Sequence, residues 1–206
     1  VVYQRSCNQW GEAKNRLARQ DRIESISMIY LVRHGEAAAS WGNHPNPGLS
    51  ELGHKQAEAA AATLLDLGAR SAVSSPMQRC RETAAAFERL AGVTAQVEPV
   101  VSEIETPESV GDRVEWLRAY MAGTWDSEGA AHDVWRKKIA AALALLPDNT
   151  AVFSHFVAIN AVISLIDQDI RTTVFKPGHC SITKVDFSGA VPRVIEYGSQ
   201  AATRVL

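Results

Sequence analysis

Residues 28–36 read MIYLVRHGE. The first five are apolar and rich in strand-forming types, and the run stops at once in Arg33, His34, Gly35 and Glu36. A short apolar run that ends in polar residues predicts a buried strand with its charged residues at the carboxyl end. Downstream, the Gly/Pro/Asn-rich stretch 42–48 predicts irregular backbone. Ser50 then opens a predicted helix to about Leu67, with Gly53 in its first turn and Ala57, Ala60, Ala61, Leu64 and Leu65 on one face; Gly68 ends it.

The same alternation continues along the chain. Residues 71–74 predict a second strand. Pro76 suits the first position of the following helix, which runs through Arg79, Thr83 and Phe87 to about Leu90. A third strand is predicted over 93–97, helices over 108–122 and 130–146, and a turn at Pro147-Asp148-Asn149. Residues 150–153 predict another buried strand and 155–166 another helix. Residues 181–187 and 193–197 suit a hairpin around Gly189. Short strands alternating with helices predict an α/β fold: a three-layer α/β/α sandwich with a mostly parallel central sheet.

Ligands of such sheets sit beyond the carboxyl ends of the strands. Arg33 and His34 follow the first strand, His155 follows the strand 150–153, and Arg79 lies early in the helix after the second strand. Two arginines and two histidines there make a cationic pocket. Guanidinium is a planar fork of donors matched to phosphate oxygens. Imidazole is a nucleophile at neutral pH, and a second imidazole, once protonated, adds a donor. Helix N-termini near Pro76 and His155 add backbone N–H groups that favour anions. The chemistry suggested is phosphoryl transfer, with arginine supplying the charge and neither metal nor cofactor required.

Bulk properties agree. The chain has 206 residues, 46% hydrophobic, a net charge of −2 and a pI near 6.3. These values suit one domain and give no basic surplus for nucleic acid. Cys7, Cys80 and Cys180 form no CxxC pair, so a disulfide framework or zinc site is not implied and a reducing, cytoplasmic setting is the expectation. No apolar run reaches the roughly 18 residues of a membrane span. Residues 1–27 are polar and mixed in charge; they are expected to form a loosely ordered extension before a domain at 28–206.

Four blocks in order, LVRHGE, LSELGHKQA, SSPMQRCRETA and FSH, resemble the histidine phosphatase superfamily, also called phosphoglycerate mutase-like. The resemblance runs from Met28 to the end. It implies His34 as the phosphorylated nucleophile and Arg33, Arg79 and His155 as binders of the phosphoryl group. It also implies a carboxyl general acid, for which VVSEIETP offers Glu103, with Glu105 and Glu108 close by. Three positions depart from the family pattern. Ser40 stands where an Asn often touches phosphate, and could offer one hydroxyl. Phe156 follows His155 where glycine is usual. The acid segment continues as ETPESV. The implied activity is that of a histidine acid phosphatase-like phosphomonoester hydrolase acting on a small phosphorylated substrate, with no nucleic-acid or membrane partner. A phosphoglycerate-type mutase and a non-catalytic phospho-ligand or protein-binding module are the alternatives. His44, His54, His132 and His179 read as loop or surface residues, Cys80 and Cys180 as buried fillers, and Trp116, Trp125 and Trp135 as core or lid, with Trp125 a candidate to face substrate.

Overall fold

The computed structural model describes residues 28–39 and 45–201. The expected 1–27 extension, Ser40 and His44 lie outside the described residues. Strand β1 (Met28–Arg33) is followed by α1 (Glu51–Asp66), β2 (Ser71–Ser74), α2 (Gln78–Ala91) and β3 (Gln96–Val97). A 3-10 turn (Pro99–Val101) leads to α3 (Arg113–Ala122), α4 (Trp125–Glu128) and α5 (Ala130–Leu143). The chain ends with β4 (Thr150–Ser154), α6 (Phe156–Ile166), β5 (Ile182–Asp186) and β6 (Arg193–Glu196).

The six strands form one sheet in the order β3-β2-β4-β1-β5-β6. β1, β2, β3 and β4 run parallel; β5 and β6 add an antiparallel edge. Because side chains alternate across a strand, β1 serves two cores. Ile29 and Leu31 face the side covered by α3, α4, α5 and α6, while Tyr30 and Val32 face α1 and α2. This is the expected α/β/α sandwich. No helix of the described residues is long and apolar enough to cross a membrane.

Differences from the sequence reading have local causes. Leu65 is 43% exposed: the buried stripe Ala57, Ala60, Ala61, Leu64 steps by three and four residues, and Leu65 falls past its edge. β3 is two residues long, not five, because 93–95 serve the end of α2. Gly92 closes that helix in the left-handed region, and Val93 N–H and Ala95 N–H are held by the Glu88 carbonyl and carboxylate. Pro76 lies ahead of the helix rather than in it: Met77 is the N-cap, and Asn46 Oδ1 accepts from Gln78 N–H at 2.8 Å. The helix expected from 108 starts at Arg113, where Asp112 caps Val114 N–H and Glu115 N–H. Trp125 is 2% exposed and belongs to the core, as Arg136 stacks on its ring.

Candidate active site

Strand register builds the site. Arg33 pairs with Ser154 in the β1–β4 ladder, and Ser74 pairs with Phe153 in the β2–β4 ladder. The next residue on each strand is therefore a neighbour: His34 N–H bonds to the Ser154 carbonyl, and Ser75 N–H to the Phe153 carbonyl, each at 3.0 Å. His34 and His155 meet edge to face with ring centroids 5.3 Å apart. Arg33, His34, Arg79 and His155 are all at most 6% exposed. The structure thus brings together the four residues singled out at the strand ends.

The backbone around His34 is tightly fixed. Gly35 packs on Gly53 in the first turn of α1, where a Cβ on Gly53 would lie 2.1 Å from the Glu36 carbonyl oxygen. No side chain fits there, which accounts for the glycine in each of the first two blocks. Ser50 caps α1 through Gly53 N–H and donates to the Glu36 carboxylate. Gly35 N–H donates to Thr83 Oγ1, which donates to the Arg79 carbonyl at 2.6 Å. The first three sequence blocks are hydrogen-bonded to one another.

Protons can be placed from partners. His34 Nδ1 lies 2.8 Å from the Gly35 carbonyl, which only accepts, so Nδ1 carries the hydrogen and Nε2 keeps its lone pair. His155 Nδ1 faces Arg79 Nη2 at 3.1 Å, and a guanidinium only donates. Its hydrogen is therefore on Nε2, donated to Ser75 Oγ at 2.8 Å. Burial, followed by the charges of neighbouring residues, holds both imidazoles well below the usual histidine pKa. For His34 those neighbours are His155, Arg79 and Arg33. The nucleophile candidate is neutral at physiological pH.

The arginines are set for an anion. Arg33 Nη1 donates to the Pro177 carbonyl, and its guanidinium lies 5.4 Å from the centre of the Phe156 ring. Phe156, at the position where glycine was the expectation, packs under Arg33. Arg33 Nε and Arg79 Nε are buried with no hydrogen-bond partner among the described residues. Buried charged donors of this kind are costly unless an anion satisfies them. Desolvation lowers both guanidinium pKa values, that of Arg33 to about 10, so both stay cationic near neutral pH.

Glu103 is positioned by the N-terminus of α6. Its Oε2 accepts from Val157 N–H, and its Oε1 from Ala158 N–H and Ile104 N–H, at 3.0–3.1 Å. His155 makes no capping bond with its side chain; the Glu103 carboxyl supplies the cap. Burial pushes this carboxyl above its usual pKa, against the pull of those N–H groups and Arg79. Oε1 already accepts two hydrogen bonds and Oε2 one, so Oε2 has the room for a proton. Glu105 and Glu108 are exposed.

Three neighbours escaped the sequence reading. His179, expected as a loop residue, lies 6.0 Å from His34 by ring centroids, and its pKa is lowered to about 4 by burial and then by Arg33. Ser75 holds His155, and Cys80 Sγ is 3.3 Å from His155 Nε2. A signal for His179 existed: if the terminal hairpin joins β1 antiparallel, the residues before it fall at the carboxyl end of β1. The hairpin was legible, but its pairing partner was not.

This fold and pocket define a phosphoryl-handling class of protein. The chain belongs to the histidine phosphatase superfamily, branch 1, whose family profile matches residues 29–200. A probable phosphoglycerate mutase, GpmB, of Erwinia tasmaniensis is 25% identical over 77% of this chain and 84% of its own. Mycobacterial glucosyl-3-phosphoglycerate phosphatase superposes with a TM-score of 0.66 at 21% identity, over 85% of this chain and 100% of that one. Phosphoserine phosphatase from Entamoeba histolytica superposes with a TM-score of 0.67 at 22% identity, over 84% and 97%. The fold is phosphoglycerate mutase-like.

Proposed function

We propose that the protein is a phosphomonoesterase that works through a phosphohistidine on His34, without a metal, on a small phosphorylated substrate. The observation that carries this reading is the His34 tautomer: Nδ1–H is tied to the Gly35 carbonyl, leaving the Nε2 lone pair beside two arginines with unpartnered buried Nε donors. In the first step Nε2 attacks phosphorus as the bond to the leaving oxygen breaks. Glu103 Oε2–H passes its proton to that oxygen. Arg33 and Arg79 hold the equatorial oxygens, where charge stabilisation does most of the catalytic work. In the second step water attacks phosphorus and gives its proton to the Glu103 carboxylate. The P–N bond breaks and inorganic phosphate leaves. His155 orients Arg79 through Nδ1; a proton acquired there beside a bound dianion would replace that bond and make the ring a further phosphate donor. The Ser40 hydroxyl, outside the described residues, is proposed as a minor phosphate contact.

The test is rapid quench in alkali with a 32P-labelled ester. A burst of acid-labile, alkali-stable label is expected on the parent protein and none on His34→Ala, whose turnover drops on the order of 10^4-fold. Activity that survives the replacement removes this reading. The relation to a probable phosphoglycerate mutase supports a second one, transfer to another hydroxyl. Isomerisation of phosphoglycerates without phosphate release would select it.

A further inference from the structure

A cavity of about 770 Å3 opens between the segment 99–108 and one side of α5. Glu103 is part of its wall, and its carboxyl caps the helix that begins one residue after His155; Ser102, also in the wall, lies 3.4 Å from the Ser75 hydroxyl that holds His155. The cavity wall therefore adjoins the residues that hold the phosphoryl pocket. On the reading proposed above, the leaving oxygen is bonded to a phosphorus held by the arginines and takes its proton from Glu103. The carbon skeleton behind that oxygen must start beside Glu103, a residue of the cavity wall.

Its size and lining select the skeleton. A volume of this order suits ligands far larger than a three-carbon acid, since pockets for drug-sized molecules span roughly 300–1,000 Å3. Trp135, half-buried, offers an aromatic surface, and most of the remaining lining is apolar. His132 is also in the wall, and its Nδ1 is buried with no partner among the described residues. With Glu103 protonated in its proposed role, the charged lining is Glu105 and Glu108 against Lys138. A second carboxylate on the substrate would meet a wall whose net charge has its own sign.

We propose that this cavity holds the leaving group, and that the protein selects phosphomonoesters of bulky alcohols bearing no negative charge beyond the phosphoryl group. That class differs from the phosphoglycerates and phosphoserine in the names of the similar proteins.

The test compares three alkyl esters of similar intrinsic reactivity: 2-(1-naphthyl)ethyl phosphate, ethyl phosphate and 3-phosphoglycerate. The naphthylethyl ester should have the highest kcat/KM, about tenfold or more above the others, as expected for one buried aromatic contact. Trp135→Ala should cut that advantage about tenfold. Trp135 also packs on the core, so Glu108→Lys, at an exposed site, is the second variant; it should raise kcat/KM for 3-phosphoglycerate severalfold. Calorimetry on His34→Ala reads the cavity without turnover. There the naphthylethyl ester should bind about tenfold more tightly than inorganic phosphate, an advantage that a second change, Trp135→Ala, removes. Equal binding of the two, or tighter binding of 3-phosphoglycerate, overturns the proposal. If no ester is hydrolysed but the binding difference appears, the hydrolytic reading fails and the cavity assignment stands.

Discussion

Residues 28–91 and the segment 98–149 meet at the site, but they are built to different tolerances. In the first, backbone touches backbone. Gly35 lies on Gly53, Ser50 is tied to Glu36, and Gly35 N–H reaches Thr83 one turn beyond Arg79. An added methyl group or a lost hydroxyl there moves the nucleophile. In the second, short helices are pinned by a few buried side chains, among them Leu117, Tyr120, Trp125, Ile139 and Leu143. The cavity wall here includes exposed side chains, Glu105 and Glu108 from the loop before α3 and Lys138 from α5. On the proposed function, the first region fixes what is done to phosphorus. The second, on the cavity proposal, shapes what is attached to it. Damage to the first should therefore lower turnover of every ester by one factor, whereas changes in the second should depend on the ester.

Arg79→Ala is the largest test of that division. Arg79 supplies a buried Nε donor and orients His155 through Nη2. Losing one preorganised donor costs on the order of 10^2–10^3 in turnover. The loss should be the same for naphthylethyl, ethyl and 3-phosphoglycerate esters. Arg79→Lys should recover little, since an ammonium cannot both reach His155 Nδ1 and present a fork. A loss that varies tenfold or more across the esters would break the comparison.

Glu103 belongs to the second region yet is the proposed acid, so Glu103→Gln should respond to the leaving group. About 10^2-fold is expected for alkyl esters, whose alkoxides need a proton, and much less for 4-nitrophenyl phosphate, whose phenolate leaves unaided. The pH profile follows from the shifts. His34 has a lowered pKa, so it stays neutral as pH falls through 6.5, and the acid limb of kcat/KM lies below that value. Glu103 has a raised pKa, so it keeps its proton above 4.5 before losing it, and its loss sets the alkaline limb. Glu103→Gln should remove that limb while the acid one remains. An alkaline limb unchanged in the variant would assign it to another group.

The two regions also differ in how much of them the sequence discloses. His34 follows a strand whose apolar run needs only local contrast to be seen, and Ser50 and Gly53 mark the next helix by capping chemistry. Those features are local, so the β1–α1–β2–α2 order and the positions of Arg33, His34 and Arg79 could be read directly. The helix boundaries at Asp112 and Leu143, and the short α4 at Trp125, depend on tertiary packing that no local pattern carries. Glu103 and Glu105 are indistinguishable by spacing. What separates them is the set of N–H groups at the start of α6, a contact across more than fifty residues of chain. His179 was missed for a related reason: its proximity follows from β5 pairing with β1, a choice of partner rather than a local signal.

Ser75 gives the smallest and sharpest test, because it joins the two regions. Its Oγ accepts from His155 Nε2–H at 2.8 Å and Met77 N–H at 3.3 Å, and lies 3.4 Å from Ser102 Oγ, next to Glu103. With both lone pairs taken, its own hydrogen is available to Ser102. Ser75→Ala leaves the Nε2–H of a fully buried imidazole without that acceptor, and the nearby Cys80 sulfur is a weak substitute. The proton then has less reason to stay on Nε2, and a ring protonated at Nδ1 would turn an N–H toward the Arg79 donor and disturb its position. Turnover should fall about tenfold, the equivalent of one neutral hydrogen bond, and equally for all esters if Ser75 acts through His155 and Arg79. Ser75→Thr, which keeps the oxygen, should recover most of it. Long-range 1H–15N spectra of the His155 ring check the cause independently of activity. They should show the Nε2–H tautomer in the parent and in Ser75→Thr, and a mixture in Ser75→Ala. A tenfold loss confined to the naphthylethyl ester, with the tautomer unchanged, would instead place the effect of Ser75 in Ser102 and the cavity wall.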